Sequence, residues 1–178
     1  MKQSVTALVD ALASISPMPE DESPEMTIAR LRQYEELLFK VKDIVDHSLE
    51  DLDPELIDPL IASFGYGHGF ELYWTVISLL EKFPPEELVP RLRQAVQNGQ
   101  PCARKWSAYM LGRQGNPMDV PLLITVLTDP QPQVREQALV ALGMIDDGTA
   151  RVAMEQLLND PVEEVRKTAD ESIRRLML

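Results

Sequence analysis

A repeat of 31 residues constrains the fold of this chain more than any other feature of its sequence. Three successive sets of side chains occupy equivalent positions at that step: Ala103, Arg104, Ser107 and Leu111; Val134, Arg135, Ala138 and Leu142; and Val165, Arg166, Ala169 and Ile173. A period of about 20 to 50 residues is typical of stacked helical units, because one such unit cannot bury its apolar face alone. The sequence therefore predicts an all-α fold, an α-solenoid of about four helical hairpins preceded by a helical N-terminal cap.

The chain is predicted to divide into this cap and a repeat array. Residues 1–53 form the cap, whose two helices are joined by an acidic segment with two prolines at residues 16–22. The array is expected to occupy residues 54–178, with hairpins at 54–85, 86–117, 118–148 and 149–178.

Charge and hydropathy limit the partners of the chain. The net charge is −12, with −5 in residues 1–50 and −7 in residues 51–178. No basic run could neutralise phosphates, so we expect no nucleic acid partner, whereas an acidic surface favours a basic protein. No apolar run approaches the roughly 18 residues of a membrane span, so no membrane association and a cytoplasmic location are expected. Cys102 is the only cysteine, which excludes a disulfide within the chain.

The best-preserved unit resembles a known repeat. It runs from Leu127 through Asp129-Pro130 and Val134-Arg135 to Leu142-Gly143, and its pattern is similar to the short HEAT-like repeat of phycobilisome lyases and their relatives. The resemblance is strongest over residues 86–178. The resemblance implies a helical array. Members of such families serve as chromophore lyases, assembly factors, inhibitors or immunity proteins, so the resemblance favours no single activity.

A recurring arginine is predicted to fix the stacking of the units. It lies one turn into the second helix of three hairpins, as Arg104, Arg135 and Arg166. Asp129 and Asp160, in the turns between helices, are the expected acceptors. A polar pair that returns in every unit is better explained by a repeated packing need than by one bound anion. Tyr73 replaces the arginine in the first unit, so this structural ladder should end there.

Aromatic residues stand where the other units carry mostly polar groups: Tyr73, Trp74, Trp106 and Tyr109. In the repeat register they fall on or beside the exposed side of the second helices, and exposed Trp and Tyr clusters are typical anchors of protein interfaces. We therefore predict a partner-binding wall formed by these four side chains. For Tyr73 and Trp74 an alternative stays open, in which the helix from Pro24 to about Asp46 folds over the first unit and covers them.

No catalytic residue, metal site or cofactor is predicted. The two histidines, His47 and His68, are not part of His-Glu pairs, which the related iron-binding HEAT hydroxylases use repeatedly. No nucleophile–base set or phosphate-binding glycine loop is recognisable. The favoured function is a non-enzymatic protein-binding scaffold or inhibitor, for example an immunity-type protein, acting on a basic protein. The alternative is a bilin lyase-like protein that handles a chromophore in the same groove.

Overall fold

The structure, a computed structural model, describes residues 2–15, 24–47, 52–65, 72–145 and 148–176, and these residues contain helices and no strand. The helices are α1 (Lys2–Ile15), α2 (Pro24–Asp46), α3 (Ile57–Ala62), α4 (Leu72–Leu80), α5 (Pro85–Asn98), α6 (Pro101–Gln114), α7 (Val120–Val126), α8 (Pro132–Ile145), α9 (Arg151–Gln156) and α10 (Glu163–Arg175). The fold is all-α, an α-solenoid of HEAT-like hairpins with a helical N-terminal cap, and the prediction from the repeat is confirmed.

The chain forms two compact units, residues 1–91 and residues 92–178, and α5 contributes to both. The predicted linker at 16–22 and the loop histidine His68 lie outside the described residues. In the part of the chain that the structure describes, no helix combines the length and the apolar character that crossing a bilayer requires.

In the first unit, the cap helices cover the first hairpin. Helix α1 packs against α2 and α3, and α2 packs against α4. The buried face of α2 presents Tyr34, Leu38, Val41 and Val45, each no more than 2% exposed. Burial of each of the three aliphatic side chains contributes about 1.5–3 kcal/mol, so α2 is held firmly against the first hairpin.

The first helices of two hairpins, α3 and α7, begin in the same way. A short 3-10 turn precedes α3 at Pro54–Leu56 and α7 at Pro117–Asp119. The side chain before each turn caps it: the backbone N–H of Glu55 donates to Asp53 at 3.1 Å, and that of Met118 donates to Asn116 at 3.0 Å. Proline fits the first position because the amide hydrogen that it lacks has no partner in a helix start.

In the second unit, the second helices lie side by side. Helix α8 packs between α6 and α10, while α7 packs on α8 and α9 packs on α10. The apolar repeat positions that predicted the fold are all buried: Ala103, Ser107, Leu111, Val134, Ala138, Leu142, Val165, Ala169 and Ile173. The repeat therefore marks the side chains through which each hairpin completes the core of its neighbour.

Small residues set the spacing of these second helices. Gly112 and Gly143 are buried and lie one repeat apart. A Cβ built on Gly112 would lie 2.5 Å from the Cα of Ala141, and one built on Gly143 would lie 3.2 Å from the Cβ of Ser172. Glycine at these two positions allows the backbones of α6, α8 and α10 to approach closely.

Candidate functional site

The first rung of the arginine ladder joins Arg104 of α6 to Asp129, in the turn between α7 and α8. The Nε and Nη2 atoms of Arg104 donate to the two carboxylate oxygens at 2.7 and 2.9 Å, and Nη1 donates to the carbonyl of Gly99 at 2.9 Å. Two parallel N–H···O bonds hold the Arg104 guanidinium coplanar with the Asp129 carboxylate. The pair therefore fixes both the distance between α6 and this turn and their relative orientation.

The second rung repeats this geometry one unit later. Arg135 donates to both carboxylate oxygens of Asp160 at 2.8 Å, and its Nη1 donates to the carbonyl of Asp129 at 2.8 Å. Both side chains are nearly buried, and the Arg135 guanidinium, together with a hydrogen bond from the Val162 backbone, holds the pKa of Asp160 below its usual range against the effect of burial. Arg166 in turn donates to the carbonyl of Asp160 at 2.7 Å.

Each ladder aspartate therefore has two neighbours. Its carboxylate accepts from the arginine of the preceding unit, and its carbonyl accepts from the arginine of its own unit. Arg104 and Arg135 each bind one carboxylate and at least one backbone carbonyl, so the geometry favours a role in stacking.

A further arginine–aspartate pair was missed by the sequence analysis. Arg93 Nε donates to Asp119 Oδ1 at 2.5 Å, and the Asp119 side chain is 1% exposed. Its second oxygen, Oδ2, is buried and has no hydrogen-bond partner among the described residues. The equivalent positions one repeat away are Leu88 and Ala150, so no repeating pattern signals this pair.

The first two residues of the predicted aromatic wall have different environments. Tyr73 is 2% exposed, and its ring packs edge-on against Tyr34 of α2 at 5.9 Å and Phe64 at 5.7 Å. The expectation that Tyr73 is exposed is wrong, because α2 covers it as the alternative proposed. Trp74, the next residue of α4, is 50% exposed, so for this residue the predicted exposure holds and the covered alternative does not.

The other two aromatic residues pack together on α6. Trp106 and Tyr109 meet edge-to-face with ring centroids 6.2 Å apart, Lys105 Nζ lies 4.8 Å from the Trp106 ring centroid, and Arg113 Cζ lies 6.0 Å from that of Tyr109. Trp106 is only 7% exposed, so its expected exposure is also wrong; Tyr109 is partly exposed. Of these two rings, that of Tyr109 is the more accessible to solvent.

Glu136 of α8 is a carboxylate in an unusual environment. It occupies the repeat position of Lys105 on α6 and Lys167 on α10. Burial raises the pKa of Glu136, the nearby Glu164 raises it further, and Lys105 and Arg135 oppose the shift. A partly buried acid whose ionised form is disfavoured is a candidate for binding a cation, because a cation would relieve the cost of its charge. Glu136 is not among the site residues predicted from the sequence.

The described residues do not form a metal centre. They contain no group of three or more His, Cys, Asp or Glu side chains that could hold a metal ion. His47 is exposed at the end of α2 beside Asp43, and Cys102 is buried near the start of α6. An iron site of the kind built from repeated His-Glu pairs has no donor set here.

Comparison with known proteins adds the following. Residues 103–174 match the profile of a family described as HEAT repeats. The chain is 39% identical over 71 residues to deoxyhypusine hydroxylase of Rattus norvegicus, covering 39% of this chain and 24% of the relative. Deoxyhypusine hydroxylase of Bos taurus is 26% identical over 135 residues, covering 75% of this chain and 42% of the relative. The solved structure of human deoxyhypusine hydroxylase in complex with glycerol matches with a TM-score of 0.57 at 17% identity, covering 99% of this chain and 75% of that one.

These comparisons correct the expected function. The chain spans between about a quarter and two fifths of the two curated relatives described here, and its likeness to the solved structure shows a shared fold. The matching relatives are named as enzymes, so the expectations of a non-enzymatic scaffold or inhibitor and of a bilin lyase-like protein are both wrong. Aligning the repeat units shows which positions differ between them. It does not show whether the differing side chains form a protein-binding surface or part of an enzyme.

Proposed function

Since the chain is a HEAT-like repeat protein, we propose that it acts as the substrate-holding part of an enzyme of the deoxyhypusine hydroxylase type. The observation that carries this proposal is the 39% identity over 71 residues to a deoxyhypusine hydroxylase. The substrate class is a lysine-derived side chain that ends in an aliphatic amine, carried by another protein. The cytoplasm is the proposed location.

The charge of the chain supports a cationic substrate. Residues 1–91 contain 7 basic and 18 acidic side chains, a net charge of −11, whereas residues 92–178 contain 10 basic and 11 acidic side chains, a net charge of −1. The acidic first unit would attract a basic protein at long range. The nearly neutral second unit leaves local recognition to individual side chains. The basic protein partner expected from the sequence is, in this proposal, the protein that carries the amine.

Glu136 is the residue that we assign to the terminal ammonium group of the substrate. Its carboxylate is partly buried, so an arriving cation meets less competing water than at the surface. Tyr109 on the neighbouring helix α6 is partly exposed and offers an aromatic face to the aliphatic part of the chain. Trp74, half exposed on α4, remains a proposed contact for the protein that carries the substrate.

The oxidation itself is not assigned to the described residues. Hydroxylation replaces a C–H bond with a C–OH bond and needs an oxidant. The described side chains lack a metal-binding donor set, so the proposal places substrate holding on them and assigns them no oxidative step.

The proposal is tested by measuring the affinity of the chain for one basic protein in two forms, with its target lysine unmodified or converted to deoxyhypusine. We expect tighter binding of the deoxyhypusine form, and a loss of about tenfold for Glu136→Gln, which is the effect of one weakened charge contact. Glu171→Gln, an exposed carboxylate on α10, is the matched control. Equal affinity for the two forms would overturn the proposal.

A further inference from the structure

Two adjoining depressions lie between α5 and α7 in the second unit. The first, of about 540 Å³, is lined by Arg93, Gln97, Asn116, Met118, Asp119 and Leu122. The second, of about 430 Å³, continues along α7 to Thr125 and Asp129. Gln97 and Leu122 line both depressions, so the two form one continuous surface feature, the α5–α7 groove. Each volume lies within the range of about 300–1,000 Å³ that ligand sites occupy.

The Arg93–Asp119 pair lies at one end of this groove. Arg93 Nε donates to Oδ1 of Asp119 at 2.5 Å, and the Asp119 side chain is 1% exposed. The other carboxylate oxygen, Oδ2, has no hydrogen-bond partner among the described residues, although Asp119 lines the depression. A buried charged acceptor that lacks a partner costs free energy. A ligand that donates a hydrogen bond to Oδ2 therefore gains more there than at an exposed carboxylate.

The guanidinium and the carboxylate together select the chemistry of that ligand. Their charges cancel, so the net charge of the pair attracts neither anions nor cations. The Arg93 side chain is 39% exposed and carries N–H donors besides Nε, whereas Asp119 Oδ2 can only accept. An amide has no net charge and offers both an N–H donor and a carbonyl acceptor. An amide is therefore the group that complements this pair.

The length and the lining of the groove favour a peptide over a single amide. Helix α7 contains seven residues and is about 10 Å long, the length of about three extended peptide residues. Met118 is 79% exposed and Leu122 is half-buried, so both offer apolar surface to the side chains of a bound peptide. Methionine suits such a surface, because its flexible side chain adapts to different shapes.

We propose that the α5–α7 groove binds a neutral, extended peptide segment of another protein. The main-chain N–H of one peptide residue donates to Asp119 Oδ2, and the carbonyl of the same residue accepts from the Arg93 guanidinium. In an extended chain these two groups point to the same side, as they do in a hydrogen-bonded pair of antiparallel strands. Glu136 is not among the residues that line the groove, so this site is independent of the proposed function.

Amide NMR of the full chain, titrated with the capped peptide acetyl-Ala-Ala-Ala-Ala-amide, tests the proposal. The backbone signals of residues 93–97 and 116–125 should shift saturably, with a Kd of about 1 mM, the affinity that a few net hydrogen bonds provide. In Asp119→Asn the amide oxygen stays with Arg93 and the NH₂ group faces the peptide N–H, so binding should weaken about tenfold. Glu171→Gln, an exposed change on α10, is the control that should bind as the wild type does.

The same peptide with all of its amides N-methylated tests the hydrogen bond from the ligand side, in the wild-type chain. It lacks the N–H donor and should produce no saturable shifts. N-methylacetamide, a single amide, should bind about tenfold or more weakly than the peptide, since it contacts only one end of the groove. Equal binding of the N-methylated peptide or of N-methylacetamide would overturn the proposal. Saturable shifts with butylammonium or acetate alone would also overturn it, and so would a groove that holds only water and does not respond to the peptide.

Discussion

Gly112 of α6 and Ala141 of α8 lie in backbone contact: a Cβ on Gly112 would come within 2.5 Å of the Cα of Ala141 and 2.8 Å of its Cβ. One repeat later, Gly143 and Ser172 occupy the equivalent positions with more space, 3.2 Å from the built Cβ to the Cβ of Ser172. The equivalent position in two successive repeats therefore leaves different amounts of space for a methyl group.

Gly112→Ala and Gly143→Ala should differ in stability although they are the same substitution in the same repeat position. Alanine gains about 1 kcal/mol of helix propensity at both sites. At Gly112 the backbone of α8 obstructs the methyl group, and overpacking of this kind costs about 1–3 kcal/mol, so we expect net destabilisation. At Gly143 the neighbour has only to shift by a few tenths of an ångström, so we expect a neutral or slightly stabilised protein. Urea denaturation of both variants measures this difference, and equal midpoints would contradict it.

Asp160→Asn should destabilise the chain by about 3 kcal/mol at neutral pH, because it leaves the nearly buried Arg135 guanidinium without its carboxylate. The pKa of Asp160 is lowered in the folded state, chiefly by Arg135. The carboxylate therefore adds stability above its unfolded pKa of about 3.9, and this contribution is lost as the pH falls through the lower folded value. Thermal melts should show the wild type and variant converging below about pH 4.

The matched control for that variant is Asp170→Asn. Asp170 pairs with Arg174 one turn along α10, and both side chains are exposed. Exposed pairs of this type contribute about 0.5 kcal/mol or less, so the control should melt close to the wild type. A control as unstable as Asp160→Asn would show that the ladder geometry is not the cause.

Glu136→Gln should stabilise the fold slightly while it weakens substrate binding. Burial raises the folded pKa of Glu136, so the folded state disfavours the ionised carboxylate at neutral pH. We expect a Tm increase of no more than about 2 °C at pH 7, which disappears below the unfolded pKa of about 4.3, where the group is protonated in both states. Calorimetry at the two pH values checks the sign. A lower Tm at neutral pH would contradict it.

Tyr34→Phe should cost about 1–2 kcal/mol, because the buried hydroxyl donates to the carbonyl of Ser63 at 3.0 Å and its loss leaves that acceptor without this partner. Burial also raises the pKa of Tyr34, so its phenol stays protonated while the first unit is folded. Urea denaturation measures the cost. Retention of the wild-type midpoint would mean that the cap helix is held by its apolar contacts alone.

The apolar repeat positions were predictable because burial recurs at a fixed step, and each of them is buried in the structure. The burial of Trp106 was not predictable by the same reasoning, which led to the wrong expectation that its ring is exposed. Its column contains Gln137 and Thr168, which are half-buried, so a polar residue in another unit does not establish an open surface. A large ring at such a position packs down beside Tyr109 and Lys105.

The candidate site was harder to predict than the fold. Glu136 resembles an ordinary surface acid in the sequence, and its altered pKa depends on burial and on Glu164. Arg93 and Asp119 pair outside the repeat register, so no column brings them together. The missing His-Glu pairs directed the interpretation away from hydroxylases, although the chain matches deoxyhypusine hydroxylases in sequence.

The double use of the ladder aspartates has a consequence for how the second unit comes apart. Arrays of short repeats often fray from one end, since each hairpin is held only by its neighbours. Here the carboxylate of Asp160 binds the arginine of the preceding hairpin while its carbonyl binds the arginine of its own hairpin, so releasing either arginine loosens the turn that anchors the other. Residues 92–178 should open in a single sharp step, with hydrogen exchange equally slow at both rungs.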